Sequence, residues 1–521
     1  QSELLTQTDL GAVQGHYNGA GAREWEGIPY AEPPVGALRW EYPRSPVPWT
    51  DVYTADVTPP GCAQVCDLPE GTGTCPDQWS EDCLYLNVYA PAAPPPEKGY
   101  DVLFWIHGGA FESGTGICAL YNGTGLTEDS TVVVSINYRL GAMGFMASES
   151  MQGNYGFMDM ILALQWTQRN IAQFGGNPAS VTIFGQSAGA MSVGALLFSP
   201  EAQGLFKQGI MESNPLGLPF HSKESAATNA NNMNAYLDCP VDDVECMRSK
   251  SMDEILDAQK HSQTLNFDTL FENFLPWCPL VEEGGVIPEQ PLYALMNGRF
   301  TSVPLMSGST RDEGQLFVYS LFTEPMSEPA YKAVLAATFG RDIYPEVIEM
   351  YPYDIVEGST DGRQAANVLA TDLLFYCPLR NATRGYQTVF GNTSSAPVEP
   401  SYIYRFEHVL SFDCWEPDTT YCIGYVCHAS ELPFVFEVFT DGKDLDYDIT
   451  PAEEKLAYEV SSMWANFAKN GNPNIGAPTP FFPNYLESKD EVLFMDEPGL
   501  MVQSGFRNEF CDMWDRLGYF Y

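Results

Sequence analysis

Apolar residues in this chain gather into unbroken runs. Val102-Leu103-Phe104-Trp105-Ile106, Val132-Val133-Val134-Ser135-Ile136 and Val181-Thr182-Ile183-Phe184 are three of them, each leading into a Gly-rich or Asn-rich loop. A run with no polar face predicts a strand buried on both sides, as in a parallel sheet. Between the second and third runs, residues 157–171 place Met158, Ile161, Leu162, Leu164 and Trp166 at mostly helical spacing. Strands alternating with helices predict a doubly wound α/β fold. The low-complexity pieces, residues 90–96 and 391–400, read as surface loops, and no internal repeat is visible. Residues 1–521 are therefore expected to form one α/β domain, although the length alone would suggest more.

The third run leads into Gly185-Gln186-Ser187-Ala188-Gly189. Gly-x-Ser-x-Gly between a strand and helix-forming residues is a nucleophile elbow, a strained turn that projects the serine hydroxyl into a cleft. Glycine at 185 and 189 leaves room for the crossing backbone. A serine hydroxyl is a weak nucleophile at neutral pH, so it needs an imidazole to take its proton and a carboxylate to orient that imidazole. The chain has six histidines from which to choose.

The wider segment from Phe174 to Gly189 resembles the active-site signature of the type-B carboxylesterase/lipase family, which includes the cholinesterases. Residues 26–40 (Glu-Gly-Ile-Pro-Tyr-Ala-Glu-Pro-Pro-Val-Gly-Ala-Leu-Arg-Trp), residues 81–89 (Glu-Asp-Cys-Leu-Tyr-Leu-Asn-Val-Tyr) and residues 105–111 (Trp-Ile-His-Gly-Gly-Ala-Phe) resemble further blocks of that family. With the C-terminal motifs, the likeness spans about residues 15–515. It implies an α/β-hydrolase fold: a central, mostly parallel sheet flanked by helices, with large loop insertions forming a gorge. It also implies a serine hydrolase of carboxylic esters with no cofactor or metal.

The resemblance assigns roles residue by residue. Ser187 would be the nucleophile. His428, in Gly424-Tyr425-Val426-Cys427-His428-Ala429-Ser430-Glu431, would be the general base. Glu313, in Ser307-Gly308-Ser309-Thr310-Arg311-Asp312-Glu313-Gly314 after the apolar run Val303 to Met306, would orient it, with the adjacent Asp312 pointing elsewhere. The order Ser187, Glu313, His428 is that of the α/β-hydrolases. The N–H groups of Gly109, Ala110 and Ala188 would meet the oxyanion of the tetrahedral intermediate. His107 is a rival base by its place beside the glycine turn, but the family pattern makes it a support for that turn. His16, His221, His261 and His408 have no motif around them.

The chain also departs from its relatives. Cholinesterases usually carry a glutamate before the serine, where this chain has Gln186, and a cation-binding tryptophan in the first disulfide loop, where it has Thr72 and Gly73. Trp79 is out of register, so a dedicated choline esterase is not expected, although a rearranged loop could bring Trp79 or Trp277 into the gorge. Gln186 also occurs in the family's hormone esterases, but Met160 replaces the glutamine expected after Asp159, and that subtype is not supported. Two rivals remain for the function. Adhesion modules of the neuroligin type keep the fold but lack the nucleophile, and here every catalytic position is filled. An interfacial lipase would need an apolar lid, and the segment between Cys66 and Cys75 holds one large apolar residue. Small or soluble esters are the expected substrates. Phe271, Phe274, Trp277, Phe317 and Phe412 are candidate gorge walls, though such aromatics are more often core.

Composition places these chemical groups in a setting. Lys plus Arg number 25 against 68 Asp plus Glu, a formal charge of −43, which repels nucleic acid and anionic membranes. Thirteen cysteines in local pairs, without zinc-ligand spacing, predict an oxidised scaffold and a secreted or extracellular protein. The sequons at Asn122, Asn381 and Asn392 fit that compartment. No apolar run reaches membrane-spanning length. The start at Gln1 without an apolar leader reads as a mature N-terminus, and the last residues carry no retention or lipid signal. The family pattern pairs Cys62 with Cys83, Cys239 with Cys246 and Cys377 with Cys511, and an additional pair joins Cys66 to Cys75. Cys118, Cys278, Cys414, Cys422 and Cys427 stay unassigned, with an odd total that leaves at least one thiol. Oligomeric state is open.

Overall fold

Each apolar run forms a strand longer than the run itself: Tyr100–Ile106, Thr131–Ile136 and Gly176–Gln186. The helix between the last two spans Tyr155–Asn170. The structure, a computed structural model, describes residues 4–69, 72–262, 270–393, 399–412, 414–415, 417, 419–439, 447–474 and 481–519.

Among the described residues, thirteen strands form one twisted sheet. Its order runs Leu4–Gln7, Ala12–Tyr17, Arg23–Pro29, Tyr85–Ala90, Thr131–Ile136, Tyr100–Ile106, Gly176–Gln186, Gln208–Glu212, Leu305–Thr310, Ser401–Phe406, Glu491–Met495, Met501–Ser504. The thirteenth, Tyr53–Thr54, pairs with Ala12–Tyr17. From Thr131–Ile136 to Glu491–Met495 every neighbouring pair is parallel, and the flanking strands are antiparallel. Parallel neighbours need crossovers, and these carry the helices to both faces. Alternation along each strand then fills two cores: Val102, Phe104 and Ile106 point to one, Leu103 and Trp105 to the other.

One element differs from its expectation. The strand expected over Val303 to Met306 runs instead from Leu305 to Thr310. Ser307, Ser309 and Thr310 are buried: Ser307 pairs on both edges and Ser309 and Thr310 with Arg405 and Phe406 on one, and such pairing satisfies the backbone of a polar segment as well as that of an apolar one. The turn before Glu313 is correspondingly shorter than the expected loop.

Five disulfides are present: Cys62–Cys83, Cys66–Cys75, Cys239–Cys246, Cys377–Cys511 and Cys422–Cys427. The fifth joins two cysteines that the sequence leaves unassigned. Cys118, Cys278 and Cys414 remain as thiols, and burial pushes Cys118 and Cys278 up to about 12, so neither is a reactive thiolate. Cys377–Cys511 ties the helix Asn508–Leu517 to the helix Cys377–Thr393 across 134 residues of chain. Of the sequons, Asn122 is half-buried, with its side-chain oxygen accepting from the Thr124 N–H. Asn381 is half-buried within a helix and donates to Asp515 Oδ1 at 2.7 Å, a contact that a glycan would break. Asn392 falls near the end of that helix, its side chain outside the described residues.

Candidate active site

The central strand Gly176–Gln186 ends at Ser187, and the helix Ala188–Leu196 starts immediately after it. Ser187 adopts φ 57° and ψ −124°, a conformation costly for a residue with a Cβ and the signature of an elbow. Its N–H donates to the Glu212 carbonyl at 2.9 Å, which anchors the turn to the next strand. A Cβ at Gly185 or Gly189 would lie 2.6 or 2.0 Å from the Ile106 carbonyl oxygen, so only glycine lets strand and helix cross there.

Two further elements bring the partners. Glu313 opens the helix Glu313–Leu321, and its Oε1 accepts from the Thr310 N–H at 2.7 Å. Its Oε2 lies 2.5 Å from His428 Nδ1. Both residues are buried. With Nδ1–H donating to Glu313 Oε2, the neutral ring keeps its lone pair on Nε2. Asp312 points away from the imidazole, with Oδ2 accepting from the Val426 N–H at 2.9 Å and pairing with Arg311. The imidazole packs between Phe317 and Phe375, with ring centroids 5.0 and 5.3 Å from its own.

The other histidines are engaged elsewhere. His107 stacks on Tyr138 at 4.4 Å, its Nδ1 lies 2.7 Å from the Gly108 carbonyl, and burial lowers its protonation to about 4. His408 contacts Glu453 and Asp496, His221 the Glu272 carbonyl, His261 the Tyr236 ring and His16 the Glu24 carboxylate. None of these five lines the pocket around Ser187.

Three side-chain contacts at the site were not expected from the sequence. Gln186 Nε2 lies 3.0 Å from His428 Nε2. Glu431 and Glu212 are fully buried, with Glu431 Oε1 accepting from Ser213 Oγ at 3.2 Å and Glu212 Oε1 from Trp464 Nε1 at 2.6 Å. Burial, then the Glu313 charge, raises Glu431 to about 8; burial, then Glu431, holds Glu212 well above the carboxylate range. Glu431 lies in the quoted histidine block and Glu212 ends a strand, but only the fold brings them together.

A cavity of about 300 Å³ opens on Ser187, His428, Gly108, Gly109, Ala110 and Ala188. Gly109, Ala110 and Phe111 all have positive φ, a turn that frees the N–H groups of 109 and 110 from partners among the described residues. Ala188 begins its helix, where the first N–H has no partner one turn back. Away from this reactive end the wall is mostly apolar, with the carboxylates of Asp67 and Glu112 also on it. Of the candidate wall aromatics, Phe274 and Phe317 line it. Phe271 packs on Phe339, Trp277 is core, and Phe412 stacks on Tyr447. Tyr121, Phe375, Trp415 and Tyr447 complete the aromatic lining. Trp79 is exposed and lines none of it. Asp67, Leu68, Pro69, Thr72 and Thr74 of the Cys66–Cys75 loop form one side. Gly73 and Cys75 of the same loop line a second cavity of about 590 Å³ behind it.

A profile of the carboxylesterase family matches residues 2–514. The cAMP-regulated D2 protein of Dictyostelium discoideum is 37% identical over 97% of this chain and 91% of its own length. The para-nitrobenzyl esterase of Bacillus subtilis is 34% identical over 94% of each chain. A solved PNB esterase superposes with a TM-score of 0.80 at 32% identity, covering 98% of this chain and 99% of its own. The chain thus belongs to the carboxylesterase family, as an α/β-hydrolase that cleaves carboxylic esters.

Proposed function

We propose that this protein is a secreted serine esterase in which Ser187 is acylated and then deacylated. His428 Nε2 takes the Ser187 Oγ proton as Oγ attacks the ester carbonyl carbon. The N–H groups of Gly109, Ala110 and Ala188 receive the negative oxygen. Collapse breaks the bond to the alcohol, which leaves with the proton from Nε2. Water then gives a proton to Nε2, attacks the acyl carbon and releases the acid, returning the proton to Oγ. Glu313 stays ionised and holds the ring. The observation that carries this reading is the 2.5 Å contact between Glu313 and His428, with the His428 ring and the elbow serine opening on one cavity. The apolar walls favour neutral esters with small to medium acyl groups. Five disulfides favour an extracellular setting, and no described helix is long and apolar enough to cross a membrane.

The test is hydrolysis of nitrophenyl esters from acetate to palmitate, with a thiocholine ester, by the protein and by Ser187→Ala. Activity on the shorter esters that vanishes in the variant is expected. Silence on every ester, or activity that survives in Ser187→Ala, would overturn the reading.

A further inference from the structure

We infer that Gln186 is a positioning residue for the general base: its side-chain amide occupies His428 Nε2 in the resting enzyme, holds the imidazole neutral, and exchanges with the Ser187 hydroxyl during turnover. The inference deepens the esterase reading and rests on it.

The argument is one of donors and acceptors. Nδ1 is committed to Glu313 as a donor, so in the neutral ring Nε2 can only accept. The atom of Gln186 that faces it, at 3.0 Å, is the amide nitrogen, which can only donate. Donor therefore meets acceptor for the neutral imidazole, and donor meets donor for the imidazolium. Ser187 Oγ, meanwhile, has no hydrogen-bond partner among the described residues. Nε2 is thus reserved, and it is not Ser187 that reserves it.

Gly108 leaves room for that orientation. Gln186 is buried, and its Oε1 lies where a Cβ on Gly108 would come within 2.7 Å. The same hypothetical Cβ would lie 2.8 Å from the Gln186 carbonyl oxygen and 3.0 Å from Ser187 Cβ. Residue 108 is therefore glycine where the Gln186 side chain crosses from the elbow to the histidine. With the oxygen against Gly108, the nitrogen faces the ring.

Two consequences follow for the reaction. Before attack, Nε2 trades one donor for another, the amide for the hydroxyl, with no change of charge. Once Nε2 carries the proton, the amide opposes it, which favours passing that proton to the leaving alcohol. The other groups around the ring act the same way in every variant below. They are Glu313 from its helix, Glu431 on the ring's own loop, Glu212 and Tyr404 from the strands on either side of Leu305–Thr310, and the Asp312–Arg311 pair at the turn. Phe317 and Phe375 are uncharged.

The experiment compares the protein with Gln186→Glu, nearly isosteric, and Gln186→Met, similar in length without a donor. Histidine ring carbons are labelled, and the His428 signal is assigned by its loss in His428→Asn and followed by NMR against pH. The expected result is a His428 titration midpoint moved to higher pH in both variants, by roughly 1–3 units with the carboxylate and less with Met. The acid limb of kcat/KM on nitrophenyl acetate should move with it. Midpoints and acid limbs that stay where they are, with only kcat lowered, would reduce Gln186 to packing and overturn the inference. If the wild-type protein hydrolyses no ester, the esterase reading fails while the NMR midpoints still decide the case of Gln186. If the Met variant does not fold, Gln186→Leu, also neutral and without a donor, takes its place.

Discussion

Asp312 and Val426 exchange two hydrogen bonds, the Asp312 N–H donating to the Val426 carbonyl and Asp312 Oδ2 accepting from the Val426 N–H, each at 2.9 Å. The pair clamps the turn before Glu313 to the loop before His428. Truncating Asp312 leaves a buried N–H unsatisfied, at a cost of about 1–3 kcal/mol, and frees the loop that sets the position of the imidazole. Asp312→Ala should lower kcat on nitrophenyl butyrate roughly 10- to 100-fold with little change in KM. Asp312→Asn, which keeps an acceptor, should lie between it and wild type.

Glu313→Gln keeps the shape but no longer matches the donor at His428 Nδ1 with a charge. A carboxamide can favour the wrong tautomer, and kcat should fall roughly 10³- to 10⁴-fold. Steady-state kinetics at several pH values check this, with circular dichroism to confirm the fold.

Cys422–Cys427 closes a five-residue separation immediately before His428. In the chain-entropy account so short a loop contributes about 2 kcal/mol. The double substitution Cys422→Ser with Cys427→Ser should lower the melting temperature by a few degrees and reduce kcat more than it raises KM. An unchanged kcat would show that the Asp312–Val426 clamp suffices.

Glu431 is raised to about 8 in the folded protein from an ordinary value near 4.5. Between those limits the folded state binds more protons than the unfolded state, so stability falls as pH rises through the window and levels off above it. Glu431→Gln removes this contribution. Denaturant titrations from pH 5 to 9 should show a flatter pH dependence for the variant, with its largest relative gain at the alkaline end.

Thr74 is buried and faces the pocket around Ser187. Thr74→Trp should lower kcat/KM for hexanoate and longer nitrophenyl esters roughly 10- to 100-fold while sparing acetate. Equal losses on all esters would place Thr74 outside the acyl path.

The sheet and the elbow are legible in the sequence because both depend on local pattern. Val102 to Ile106 can only be a strand buried on both faces, and Gly185 and Gly189 flank a serine at the point where a strand must turn. The strand Leu305–Thr310 was only half legible, since Ser307 to Thr310 owe their extended form to neighbours nearly a hundred residues away on each side. The contacts of Gln186, Glu212 and Glu431 were not legible at all. They join residues from three distant segments, and nothing near Gln186 in the chain says which way an amide will face. Phe375 illustrates the same limit. It reaches His428 from the π-helical turn Thr371–Tyr376, which no periodicity announces.

The Cys66–Cys75 loop is a wall one chain thick. Thr72 and Thr74 face one cavity, Gly73 and Cys75 the other. From 72 to 75 successive positions therefore report on different compartments: a probe at 74 shares its solvent with the bound ester, whereas one at 73 samples the space behind it. On that side the contour of the active site is drawn by the path of the backbone and not by a packed interior, so a single inserted residue would swap the compartments of every side chain beyond it.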